Sequence, residues 1–215
     1  MSELNNPFYD VIRQVLEGVQ LELPNAVLPD PAKLNYYAFA NDRKLFLEED
    51  VGFPVMNMIK MIMQWNKEDA QIPVDDRKPI VIYIMSEGGY LSYMWAIIDA
   101  MLASKTPIIT VNMGIAASAA SLIYLAGSKR YMMPSSTVVI HEGSTEVGGD
   151  AGKVMDAIKN YDKEITKMKD FILNRSQIPS KMLNKKRKDD WYIDVATCLE
   201  YGVCHKIVET IDEII

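Results

Sequence analysis

Two short runs, PIVIYIM (79–85) and PIITVNM (107–113), are apolar at nearly every position and rich in β-branched residues. A strand with one wet face alternates apolar and polar residues; a run this continuous requires cover on both faces. Each run leads into a segment of helical length, YLSYMWAIIDAMLAS (90–104) after the first and GIAASAASLIYLAG (114–127) after the second. A third pair precedes them, with RKLFLEE (43–49) as a strand and FPVMNMIKMIMQW (53–65) as a helix, separated from PIVIYIM by the polar loop EDAQIPVDDRK (68–78). Three strand-then-helix units predict an α/β fold with a mostly parallel sheet and right-handed crossovers. KRYMM (129–133) and STVVIH (136–141) add short strands.

Composition narrows the function classes. The chain has 215 residues, 49% of them hydrophobic, and a net charge of −6. That suffices for one domain with a sizeable core. No basic block is present to grip phosphates, so nucleic acid is not an expected partner. No run of eighteen apolar residues exists, so no membrane span is expected. MSELNNPFYDVIRQ lacks a basic stretch followed by an apolar one, so no secretory signal is expected and the cytoplasm is the simplest home. Two cysteines, Cys198 and Cys204, make no disulfide framework; with His205 they fall short of a zinc set, since no fourth ligand lies at suitable spacing. No metal is expected. Met56, Met58, Met61 and Met63, crowded into one helix, read as adaptable core filling.

Residues 1–32 differ from the rest, and 33–215 read as the folded domain. FYDVIRQVLEGV (8–19) suits a short helix and PNAVLPDPAK (24–33), with three prolines, an extended linker. Beyond the strands, 150–174 read as a long polar helix. Its apolar residues, Val154, Ile158, Tyr161, Ile165, Met168 and Ile172, step by 4, 3, 4, 3 and 4. So narrow a seam suits another helix better than a sheet. Either this chain or a second subunit supplies the cover.

The chemistry centres on Ser118. A strand, a glycine turn at Gly114 and then a helix place it near a helix N-terminus, where free N–H groups favour a developing oxyanion. The alanines around it admit a substrate backbone, though such a run also suits a tightly packed helix. A nucleophilic serine needs a base. Of the two histidines, His141 ends a strand beside a glycine-containing loop, where α/β sheets place ligands; His205 falls near a surface turn. Many carboxylates would orient the imidazole, and spacing does not choose among them. SEGG (86–89) ends the strand PIVIYIM, and its paired glycines allow positive φ and a bare N–H. It is either half of an oxyanion hole or a tight turn. No phosphate loop and no GxSxG elbow is present.

Taken in order, SEGG, GIAASAA, VVIH and DDWYIDVATCLEYG resemble the ClpP family, the proteolytic subunit of the ATP-dependent Clp protease. The resemblance spans roughly residues 34–210. It implies a ClpP/crotonase-like repeated β-β-α core with a protruding handle helix, which the 150–174 segment matches. It implies a serine endopeptidase with Ser118 as nucleophile, His141 as general base and Asp190 as the carboxylate. Gly89 and Ala119 match the residues whose N–H groups form the oxyanion hole. Substrate would lie along Gly88, Tyr90, Glu142 and Gly143. The family forms homo-oligomers of two stacked heptameric rings, a tetradecamer, and takes unfolded proteins from an AAA+ unfoldase such as ClpX, ClpA or ClpC. No cofactor is implied for this chain, because the unfoldase uses the ATP. The chain departs from the family pattern in having Glu87 where SPGG has proline, Ala120 where a glycine is usual, and Asp189 where an arginine precedes the aspartate, with Arg187 as a stand-in. Its N-terminal segment lacks the family's recognisable hairpin sequence, and self-processing of that segment is expected. Two other readings are open: an inactive subunit acting structurally in a mixed ring, and a crotonase-like acyl-CoA enzyme.

Overall fold

The computed structural model describes residues 31–214, which fall into two compact units divided between Ala38 and Phe39. Helix α1 (Pro31–Asn41) spans that division. The stretch expected to be an extended linker is therefore helical at its described end, with Pro31 in the first turn, where its missing N–H costs nothing. The short helix at 8–19 and the processing of the N-terminal segment lie outside the described residues.

After α1 come β1 (Lys44–Leu47), α2 (Val55–Glu68), β2 (Ile80–Ser86), α3 (Leu91–Ala103), β3 (Ile108–Ala117) and α4 (Ala119–Ala126). Next are β4 (Lys129–Met132), β5 (Thr137–Ile140), the long α5 (Ala151–Arg175), α6 (Ser180–Lys186), β6 (Trp191–Ile193), α7 (Val195–Glu200) and β7 (Lys206–Ile207). The loop 68–78 contains two single 3₁₀ turns. β1, β2, β3, β4 and β7 lie side by side in that order, all parallel. The α/β expectation holds.

The apolar runs are buried on both faces, as their continuity predicts. Ile80, Ile82 and Ile84 point into the main core with α2, α3 and α4, and all three are fully buried. Burying each contributes about 2 kcal/mol. Val81 and Tyr83 face the other way, into a smaller cluster with Ile109, Val111, Val208 and Ile214. Phe46 stacks on Tyr83 there at 5.0 Å.

One boundary differs from expectation. Gly114 is not a turn; β3 continues through it to Ala117. Its N-terminal half has β4 as its outer neighbour, pairing at Ile109–Asn112, and its C-terminal half has β5, pairing at Ile115–Ala117. The Asn112 side chain fastens the changeover, donating to the Thr137 carbonyl at 2.8 Å and accepting from the Gly114 N–H at 3.1 Å. Ladder partners on both edges outweigh the helical preference of the alanines. β6 then pairs antiparallel with β5, bringing Trp191 opposite Ile140.

The α5 seam is covered most deeply by its own chain in its C-terminal half. Met168 and Ile172 are buried, Val154, Tyr161 and Ile165 are half-buried, and Ile158 is exposed. Arg175 fixes the end of the helix, donating to the carbonyls of Leu125, Ala126 and Gly127. Those are orphan acceptors at the end of α4, and a cation there meets the negative end of the helix dipole.

Candidate active site

Ser118 occupies the junction between β3 and α4. Its φ of 51° and ψ of −125° resemble the first central residue of a type II′ turn, a place glycine usually holds. The surroundings enforce it. The Ser118 N–H donates to the Val139 carbonyl at 3.0 Å, and its own carbonyl accepts from the N–H and hydroxyl of Ser121 at 3.0 and 2.6 Å. A serine at this position ordinarily caps its helix with its hydroxyl, contributing about 1 kcal/mol. Ser118 makes no such bond, and its hydroxyl donates to no partner among the described residues.

His141 directly follows β5, and Asp190 directly precedes β6. The antiparallel pairing of those strands brings the two together, with His141 Nδ1 lying 3.0 Å from Asp190 Oδ1. A carboxylate at Nδ1 holds the tautomer whose Nε2 carries the lone pair. That Nε2 is shielded from water and has no partner among the described residues. Ser118 and His141 line one cavity of about 150 Å³ with Gly89, Leu122, Tyr161 and Met168. The Ser118 hydroxyl and His141 Nε2 do not hydrogen-bond, and such contacts are often long before a substrate binds.

SEGG sits against the serine. A Cβ on Gly88 would fall 2.7 Å from Ser118 Cβ, and its φ is +112°. Val51 runs beside this segment, its N–H donating to the Gly88 carbonyl at 2.7 Å and its carbonyl accepting from the Tyr90 N–H at 2.8 Å. Successive residues of an extended segment present their polar groups to opposite edges. Gly88 and Tyr90 are therefore paired with Val51, and only Gly89 faces the free edge. This narrows the expected substrate contact along Gly88–Tyr90, since two of the three backbones are already engaged. Tyr90 itself is exposed, with its ring edge-on to Tyr93. The N–H groups of Gly89 and Ala119 donate to no described residue. Glu87 is exposed to water.

The loop after His141 is tied down twice. The Glu142 N–H donates to the Arg187 carbonyl at 2.9 Å, and the Glu142 carboxylate pairs with the Arg187 guanidinium at 2.6 Å. Tyr161 donates its hydroxyl to the Glu142 carbonyl at 2.8 Å. Glu142 and Gly143 both line the small cavity. The sequence reading missed Leu91, Leu122, Tyr161 and Met168 as cavity walls. Two of them, Tyr161 and Met168, belong to the α5 seam, whose period announced a buried contact without saying with what. Cys198 and Cys204 are buried thiols whose pKa burial pushes upward, and His205 Nδ1 accepts the Arg130 N–H at 3.1 Å. No described helix is long and apolar enough to cross a membrane.

The order and spacing of these elements coincide with one known family. The sequence model of the family described as Clp protease matches residues 32–211. The chain belongs to the Clp protease family. It is 35% identical to ATP-dependent Clp protease proteolytic subunit 2 of Treponema denticola over 134 residues, 61% of this chain and 67% of that one. It is 32% identical to the ATP-dependent Clp protease proteolytic subunit of Streptococcus mutans over 178 residues, 81% of this chain and 88% of that one. A proteolytic subunit 2 of Prochlorococcus marinus is 29% identical over 181 residues, 80% of this chain and 86% of that one. As a Clp protease, the chain carries its family match over nearly the whole second unit and most of α1.

Proposed function

We propose that this chain is the serine endopeptidase subunit of a barrel-shaped compartmental protease. The observation that carries the reading is that Ser118, His141 and Gly89 line one cavity, with Asp190 on the far side of the His141 imidazole. Ser118 attacks the scissile carbonyl, and His141 Nε2 takes its proton and returns it to the leaving amine. Asp190 holds the imidazole tautomer and stabilises the imidazolium. Gly89 and Ala119 donate to the oxyanion, helped by the N-terminus of α4. The substrate lies extended between the free edge at Gly89 and the Glu142–Gly143 segment.

Two exposed apolar side chains in the N-terminal half of α5, Met155 and Ile158, support assembly. In this reading it packs against the same helix of a second copy, joining two heptameric rings. Relatives named as proteolytic subunits of an ATP-dependent protease support an AAA+ unfoldase as the source of unfolded chains.

Intact mass after fluorophosphonate treatment tests the reading, beside Ser118→Ala. One adduct, absent from the variant, is expected. No adduct from protein shown to be assembled into rings overturns it in favour of a structural subunit.

A further inference from the structure

A second cavity, of about 370 Å³, adjoins the first and shares Leu91 and Tyr161 with it as a common wall. It opens between α3, α5 and the loop after His141, with Trp95, Val147, Asn160 and Glu164 among its walls. Among the described residues, Glu164 is the one charged side chain that lines it. Its Oε2 accepts the Trp95 indole N–H at 2.7 Å, which fixes the carboxylate in place. The neighbouring cation, Lys167, lies over the Trp95 ring at 3.8 Å and lines a different groove, as does Lys163. The carboxylate is half-buried and has no ion-pair partner among the described residues.

In an extended peptide, side chains two residues apart project from one face about 6.7 Å apart. A peptide whose P1 side chain fills the 150 Å³ cavity thus presents its next same-side residue to the 370 Å³ one. The leaving amine must lie beside His141, which protonates it. The larger cavity is walled by none of His141, α6 or β6, so it serves the acyl side and receives P3. We propose that Glu164 makes this cavity a specificity subsite for a basic P3 side chain, lysine or arginine, with the apolar stem against Trp95 and Val147. A half-buried carboxylate held by a single neutral donor gains from a cation and repels a second carboxylate. This inference rests on the peptidase reading above.

The test uses assembled full-length protein and internally quenched peptides with P1 leucine, differing only at P3: lysine, norleucine or glutamate. The expected kcat/KM with lysine is about fivefold above norleucine, and glutamate falls below both. The lysine-to-norleucine ratio shrinks in roughly 0.5 M salt as charge is screened. In Glu164→Gln the ratio collapses to about one, and in Glu164→Lys the order of lysine and glutamate reverses. Equal cleavage of all three peptides by the wild type overturns the subsite and leaves the peptidase reading intact. No cleavage of any peptide by assembled rings overturns both. A preference that persists in both Glu164 variants assigns basic selectivity elsewhere and also overturns the proposal.

Discussion

Two carboxylate pairs sit at opposite ends of the sheet and are built in opposite ways. Near the start of β1, Asp69 is 1% exposed and receives both terminal nitrogens of Arg43 at 2.6 Å, with the Thr106 hydroxyl at 2.8 Å. Beyond the end of β5, Asp190 has a side chain 59% exposed and a single 3.0 Å contact to His141, whose Nε2 has no described partner. The Arg43 guanidinium beside Asp69 holds its carboxyl below the ordinary range, against the opposing effect of burial. Each region also holds one of the two described non-glycine residues with positive φ, Arg43 at 61° and Ser118 at 51°. Arg43 takes the left-handed position that ends α1, which any chain leaving a helix can use at modest cost. Ser118 has a ψ far from that region, and its strain places a hydroxyl where no capping bond holds it. The first pair is complete, so it can only fasten. The second is left incomplete, so it can act on something that arrives.

The comparison breaks most sharply at Asp190. Asp190→Asn is expected to lower peptidase kcat/KM by about a thousandfold or more, because the imidazole loses its tautomer partner. Its thermal midpoint is expected to stay within about 1 °C of wild type, since an exposed single contact contributes little. A drop of many degrees would mean that this pair fastens too.

Asp69→Ala reverses the pattern. Removing the partner of a guanidinium this enclosed costs about 3–5 kcal/mol. For a chain of this size that lowers the midpoint by roughly 10 °C. The folded fraction is still expected to label at Ser118 with fluorophosphonate. Unchanged stability in a urea titration would show the buried pair to be dispensable.

Acid separates the regions more finely. Asp69 has a depressed folded pKa, so its contribution is complete above the unfolded value of about 3.9 and disappears as pH falls through the lower folded one. His205 is lowered by burial and by the Arg130 and Arg175 charges, so folding disfavours its protonation. Its contribution is complete above about pH 6.5 and fades as pH falls from there toward its folded value. The urea midpoint is therefore expected to decline slightly between about pH 7 and 5 and steeply below about pH 4. His205→Gln is expected to flatten the first decline and Asp69→Asn the second. An unchanged first decline in His205→Gln would assign it to another group.

Much of this was legible in the sequence. Continuous β-branched runs can only be doubly covered strands, so PIVIYIM and PIITVNM dictated a parallel α/β sheet. Paired glycines after β2 announced a backbone with positive φ, and Gly88 has one, pressed against Ser118. The 3.5 period of α5 announced a narrow buried seam. These are local rules, in which a residue's own covalent limits or its nearest neighbours along the chain decide the outcome.

What the tertiary structure decided are matters of partnership. β3 runs on through Gly114 because β5 offers a ladder from Ile115 onward, a choice no local preference encodes. His141 meets Asp190, 49 positions away, because β5 and β6 pair at their ends. Val51 takes one edge of the glycine segment and leaves Gly89 the other. Tyr161 and Met168 wall a cavity because α5 crosses over the loop after His141. Each depends on which distant segment arrives to satisfy a donor, an acceptor or an apolar face. That is settled only when all the segments are packed together.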